Sequence, residues 1–149
     1  MIKLKSILIE VMKKKSVNEN LALGILATLS GILIGKIAFY YIGELVEKGI
    51  KYFNGSKETE KEISGILDKL ESNKKFISDV TEYIEKNNGI NDAAADKMVK
   101  SAYVQSLIKK VNNDNVDKAD LESGLKNIFL KAWSNDKDTA IEKVKKDIK

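Results

Sequence analysis

The sequence predicts an all-α protein, and three observations carry that reading. Apolar residues recur three and four positions apart along most of the 149-residue chain, the pattern of helices with one buried face. Clusters of Asn, Asp, Ser and Gly interrupt those runs where helices would stop and start. The interruptions are short, which favours antiparallel neighbours. The expected architecture is an N-terminal amphipathic helix (1–15), one long very apolar helix (16–55) and an antiparallel helical bundle (56–149). By length this is one domain with a short appendage.

In 1–15, Leu4, Ile7, Leu8 and Val11 share one helical face, while Lys3, Ser6, Glu10 and Lys13 fall mostly on the other. So short a helix is marginal alone in water. It needs a partner surface: another protein, a bilayer or the body of its own chain. It lacks the long apolar core and small-residue cleavage site of a secretory signal.

Ser16-Val17-Asn18-Glu19 reads as a capping box. Behind it runs LALGILATLSGILIGKIAFYYIG, residues 21–43, with Lys36 as its one charge. At about 1.5 Å per residue the run is long enough for a hydrocarbon core of about 30 Å. Gly31 and Gly35 form a small-xxx-small pair with Gly24 on a nearby face, so Gly24, Gly31 and Gly35 are the expected helix-packing face. Tyr40 and Tyr41 lie near one end, as interfacial aromatics do; Lys13, Lys14 and Lys15 flank the other and would keep it cytoplasmic. Against a span, Lys36 divides the run and costs roughly 2–3 kcal/mol inside a bilayer. The stretch ahead of Lys36 suits a buried core helix equally well. The run therefore carries two readings, a transmembrane span or a central buried helix. Leu45, Val46, Ile50 and Phe53 continue it amphipathically to a stop at Asn54-Gly55.

In the C-terminal body, Ile63, Ile66, Leu70, Asn73, Ile77, Val80, Ile84 and Asn87 form a seam on one helix, or on two broken near Ser72-Asn73. Asn at a core-type position here marks a bend or a solvent end. Asn87-Asn88-Gly89 ends the seam. A helix from Asn91 or Asp92 is expected to run through Ala95, Met98, Val99, Ala102, Tyr103, Leu107 and Val111. After a polar loop at 112–115, Asp117 caps the next helix, with Val116 and Leu121 as a hydrophobic staple. Its stripe is Leu121, Leu125, Ile128, Phe129 and Ala132. A break is expected at 134–138, followed by a short last helix carrying Ala140, Ile141, Val144 and Ile148.

The side-chain inventory excludes much chemistry. All 26 basic residues are Lys, and His, Arg, Cys and Pro are absent. Without Cys there is no disulfide framework, thiolate nucleophile or zinc finger. Without His there is no Ser-His-Asp triad or imidazole base. Without Arg there is no bidentate phosphate clamp or arginine finger. No GxxxxGKS or GxGxxG phosphate loop occurs. Asn113-Asp114-Asn115-Val116-Asp117 lacks the turn Gly of a calcium loop and has Gly124 where that loop carries Glu. The pairs Glu60/Glu62 and Asp117/Asp120 lie at helix starts, where the dipole explains them. The expectation is a non-enzymatic chain with no cofactor and no metal. The net charge of +4 is concentrated around Lys13, Lys14 and Lys15, and residues 56–149 are balanced, which argues against specific nucleic-acid recognition.

The opening MIKLKSILIE resembles the N-terminal targeting peptide of internal head proteins of T-even-type tailed phages. That peptide is a basic amphipathic decamer closing on a hydrophobic–any–Glu tripeptide, matched here by Leu8, Ile9 and Glu10. Ile2, standing between Met1 and the first Lys, departs from the family pattern. Ile42-Gly43-Glu44 and Leu45-Val46-Glu47 also fit the tripeptide, so position at the start is what carries the likeness. It covers about ten of the 149 residues. The resemblance implies a virion-associated protein packaged in the head interior, with prohead scaffold or core proteins and the prohead protease as partners. It also implies a cut between Glu10 and Val11. Two alternatives stand beside it. One is a single-pass protein of the host inner membrane, a phage effector or holin-like chain that meets lipid and forms a homo-oligomer through Gly31 and Gly35. The other is a soluble helical module that binds a protein partner.

Overall fold

The computed structural model describes residues 31–148, with side chains over 33–147. The tripeptide Leu8-Ile9-Glu10, the Ser16–Glu19 capping box, Gly24 and the first part of the apolar run lie outside the described residues, and Gly31 is described in its backbone alone. Among the described residues the regular structure is helical, with no strand. The helices are α1 (Gly31–Lys48), α2 (Lys57–Leu70), α3 (Lys74–Asn87), α4 (Asp92–Lys100), α5 (Ala102–Lys109) and α6 (Lys118–Ile148); a 3-10 turn (Gly49–Tyr52) extends α1.

Helix α1 lies against α6 and α3 and also touches α2. Ile34, Ile37, Ala38, Tyr41, Ile42 and Leu45 are each at most 1% exposed, at the 3-4 spacing of a buried stripe. They meet Ile63, Leu67, Leu70, Phe76, Val80, Ile84, Leu125, Ile128 and Phe129 in one continuous core. Burying an aliphatic or aromatic side chain of this size contributes roughly 1.5–3 kcal/mol each. The long very apolar helix expected over 16–55 is corrected in one respect. Its described part carries Lys36, Glu44, Glu47 and Lys48, and no helix among the described residues is long and apolar enough to cross a membrane.

The seam of 57–87 is two helices. Asn73 is the N-cap of α3, its side chain accepting from Phe76 N–H at 2.9 Å, and Asn87 is exposed at the end of α3. Both Asn residues therefore serve helix ends. Ser56 caps α2 by accepting from Thr59 N–H, and Asn91 caps α4 by accepting from Ala94 N–H. Asp117 stands directly ahead of α6, its carboxylate accepting from Ala119 N–H at 2.9 Å. Val116 and Leu121 are both buried there.

Two boundaries differ from the sequence expectation. The single helix expected over 91–111 is divided at Ser101, which is extended at φ −60°, ψ 150°. Its hydroxyl donates to Met98 O, and Gln105 Nε2 donates to Val99 O, so side chains satisfy carbonyls that a continuing helix would have used. The break expected at 134–138 is absent: α6 runs unbroken for 31 residues. Nothing in Ser134-Asn135-Asp136-Lys137-Asp138 is Gly or Pro, and tertiary contacts hold the segment helical. Asp136 is buried and accepts from Tyr52 Oη, and Trp133, Ala140, Ile141 and Val144 keep the buried stripe going.

Glycine positions yield a stability test. Gly65 is exposed within α2, and a Cβ built there meets nothing within 4 Å among the described residues. Gly65→Ala is expected to raise stability by about 0.5–1 kcal/mol, read from the urea midpoint, because Ala loses less backbone entropy in a helix. Gly124 is the opposite case. Its missing Cβ would lie 2.8 Å from Ile63 Cδ1 and 2.9 Å from Phe53 Cε1, so the residue permits α6 to lie close against α2.

Candidate functional site

The face of α1 turned away from the core is the most unusual surface in the described residues. At 3.6 residues per turn, Gly35, Phe39, Gly43 and Val46 fall on one stripe. Phe39 is 55% exposed and, among the described residues, is the one large hydrophobic residue so placed. Its ring meets Tyr40 edge-on at 5.6 Å. Gly35 and Gly43 have no described atom within 4 Å of an added Cβ. The stripe is therefore a protruding ring between two shallow gaps. Lys36 and Glu47 lie exposed along one flank. Of the expected packing face, Gly35 belongs to this stripe, and no described element approaches it closely.

A polar seam borders the stripe where α1 meets the last turns of α6. Glu44 is fully buried; Lys143 Nζ donates to its Oε1 at 2.7 Å and Lys48 Nζ lies 3.3 Å from Oε2. Burial alone drives the Glu44 carboxyl up. The hydrogen bonds and charges of Lys143 and Lys48 outweigh it and hold the group below the usual carboxylate range. The hydrogen bond to Glu44 raises Lys143 in turn. Tyr40 donates its hydroxyl to Asp147, and Tyr52 donates to Asp136 at 3.0 Å. Deeper in, Tyr41 donates to Phe129 O at 2.7 Å; burial pushes that hydroxyl well above its ordinary pKa. A general base is effective when its pKa lies near the working pH. Glu44 is moved away from that range, so this geometry suits holding α6 to α1 rather than moving protons.

A second feature is an open hollow of about 470 Å³ among α3, α4 and α5. Lys75, Lys97 and Lys100 rim it, and Tyr83 and Tyr103 line it. Tyr103 donates to Asp79 at 3.0 Å, and Lys75 pairs with the same carboxylate at 3.3 Å. Lys100 pairs with Asp96. The basic rim is thus largely neutralised by its own neighbours. Burial raises the Tyr103 hydroxyl far above its ordinary value, a bond to Ser101 opposes this, and Asp79 adds to it, so Tyr103 remains a donor at neutral pH.

The Asn113–Asp117 cluster is committed to turn geometry. Asn113 Oδ1 accepts from Asn115 N–H and Asp117 Oδ1 from Ala119 N–H. Among the described residues no group of three or more acidic side chains converges as metal ligands would. The feature that sequence reasoning missed is the buried Glu44. Its phase is the available signal, since position 44 follows Tyr41 by three and Ile37 by seven on the buried stripe.

No protein-family model matches this chain, and neither a curated protein nor a solved structure matches it.

Proposed function

We propose that this chain is a non-enzymatic, protein-binding component of a phage head, carried into the head interior by an N-terminal peptide that is removed after Glu10. The helices α2 to α6 are read as an antiparallel bundle around α1, because the links 71–73, 88–91 and 110–117 are short. The observation that carries the reading is the basic amphipathic decamer closing on Leu8-Ile9-Glu10. In support, the described helices α1 to α6 share one continuous core drawn from residues 33–144, all of it on the Val11 side of the cut. The partners in this reading are prohead scaffold or core proteins, and the prohead protease.

Burial of α1 weighs against the inner-membrane alternative. Ile34, Ile37, Ala38, Tyr41 and Ile42 fall within 21–43, and all are buried in the protein's own core. A lipid-facing helix would have to give those contacts up.

Mass spectrometry of protein from purified particles tests the proposal. The expected result is a mature N-terminus at Val11, with no peptide spanning Glu10-Val11. Absence from particles, or an intact Met1 N-terminus inside them, overturns it. Recovery in carbonate-washed membranes would favour the alternative.

A further inference from the structure

We propose that the exposed face of α1 is a self-association surface, on which a second copy of this chain lays its own α1 antiparallel. Phe39 of each copy then sits over the partner's Gly43, and Lys36 faces the partner's Glu47. This goes beyond the head-protein reading and does not depend on it.

The argument is one of register. At about 100° per residue, Gly35, Phe39, Gly43 and Val46 span a stripe about 80° wide, and Lys36 and Glu47 share one flank of it, about 20° apart. When two identical helices pair about a two-fold axis crossing them, each flank meets the same flank of the other. Lys36 and Glu47 are therefore complementary to themselves only in the antiparallel sense. A parallel pair, whose two-fold axis runs along the helices, would set this flank of one copy against the opposite flank of the other and leave Lys36 and Glu47 unmatched. Phe39 and Gly43 straddle position 41, and so do Gly35 and Val46, within half a residue; Lys36 and Glu47 straddle a point half a residue further on. One axis satisfies all three pairings. The ring has somewhere to go, because a Cβ at Gly43 would meet nothing within 4 Å among the described residues. The charges are also available. Among the described residues neither Lys36 nor Glu47 forms an ion pair, and Lys143, whose charge Glu47 also feels, is hydrogen-bonded to Glu44.

One face of an 18-residue helix falls short of the roughly 800 Å² per partner of a standard interface, so the pairing is weak, with a Kd on the order of 100 µM. Sedimentation equilibrium of the full chain from about 10 µM to about 1 mM brackets that value. The mass is expected to rise from 16.6 kDa toward twice that. Phe39→Glu and Lys36→Glu should each weaken association by about tenfold or more, and Lys36→Glu/Glu47→Lys should recover most of the loss. All three positions are exposed, so helical circular dichroism should be unchanged in every variant. The chain has no Cys, so Lys36→Cys and Glu47→Cys can be made separately, mixed and oxidised. The mixed disulfide should form ahead of either self-disulfide. A monomeric mass throughout would mean that residues 1–30 of the same chain, or some other partner, cover the face, and would overturn the proposal. So would a double charge swap no better than Lys36→Glu, or self-disulfides that outrun the mixed one.

Discussion

Gly89→Ala is expected to destabilise the protein by about 3 kcal/mol or more, the sum of backbone strain and overpacking. Gly89 follows Asn88, which closes α3 in the left-handed region at φ 56°, and is itself at φ 147°. An L side chain at that φ is strained by about 1–3 kcal/mol. Space is also lacking. An added Cβ would lie 2.4 Å from Trp133 Nε1 and 2.8 Å from Trp133 Cε2. Trp133 is 5% exposed and meets Tyr41 edge-on at 5.4 Å. It cannot yield without disturbing the Tyr41 hydroxyl that donates to Phe129 O. Urea unfolding should show the lower midpoint, and the melting temperature should fall by about 6–12 °C for a chain of this length. Repeating the substitution in a Trp133→Leu background separates the two terms, because the clash disappears and the strain remains. If Gly89→Ala costs the same in both backgrounds, the indole is not what confines the turn.

That turn shows what the sequence makes legible and where it stops. Asn87-Asn88-Gly89 announces a helix end through local chemistry alone, and the end is there. The caps at Asn73 and Asn91 and the stop after Phe53 follow in the same way, each from one residue and its own backbone. That Trp133, forty-four positions away, closes over Gly89 is a tertiary fact with no local trace. The two misplaced boundaries have the same origin. Ser101 divides a helix because its hydroxyl and the Gln105 amide satisfy the freed carbonyls. The polar 134–138 stretch stays helical because Tyr52 and the core hold one side of it. Local polarity is a weaker argument than a buried stripe continuing on either side. In the apolar run of 21–43 uniform hydrophobicity hides phase, so neither the buried stripe of Ile34, Ile37 and Tyr41 nor the open stripe of Gly35, Phe39 and Gly43 stands out.

Lys143→Met and Glu44→Met should have unequal effects, and the inequality is the test of how the seam works. Removing Lys143 leaves the Glu44 carboxylate buried with Lys48 as its remaining partner. Breaking a fully buried pair typically costs about 3–5 kcal/mol. Lys143 is 42% exposed and Lys48 stays in place, so about 1–3 kcal/mol is expected here. Glu44→Met removes the buried charge itself, including the Oε2 that Lys48 approaches at 3.3 Å. Both lysines can then return to solvent, and the change should fall within about 1 kcal/mol of the parent. The pH dependence follows from the lowered Glu44 pKa. A carboxyl held below its unfolded value contributes stability that is fully present above that value, 4.5. The contribution is lost as pH falls through the folded value. Without Lys143 the folded value rises, since burial is opposed by Lys48 alone. The gap between parent and Lys143→Met should therefore be widest near neutral pH and should close as pH falls through the variant's folded value and then the parent's, which lies below 4.5; only beneath that do both proteins carry a protonated Glu44. Chemical unfolding at a series of pH values measures that gap directly. A gap that stays constant through acid would show that Lys143 supports α6 through its aliphatic stem over Tyr40, whose ring centroid lies 5.9 Å from Nζ, and not through the Glu44 charge.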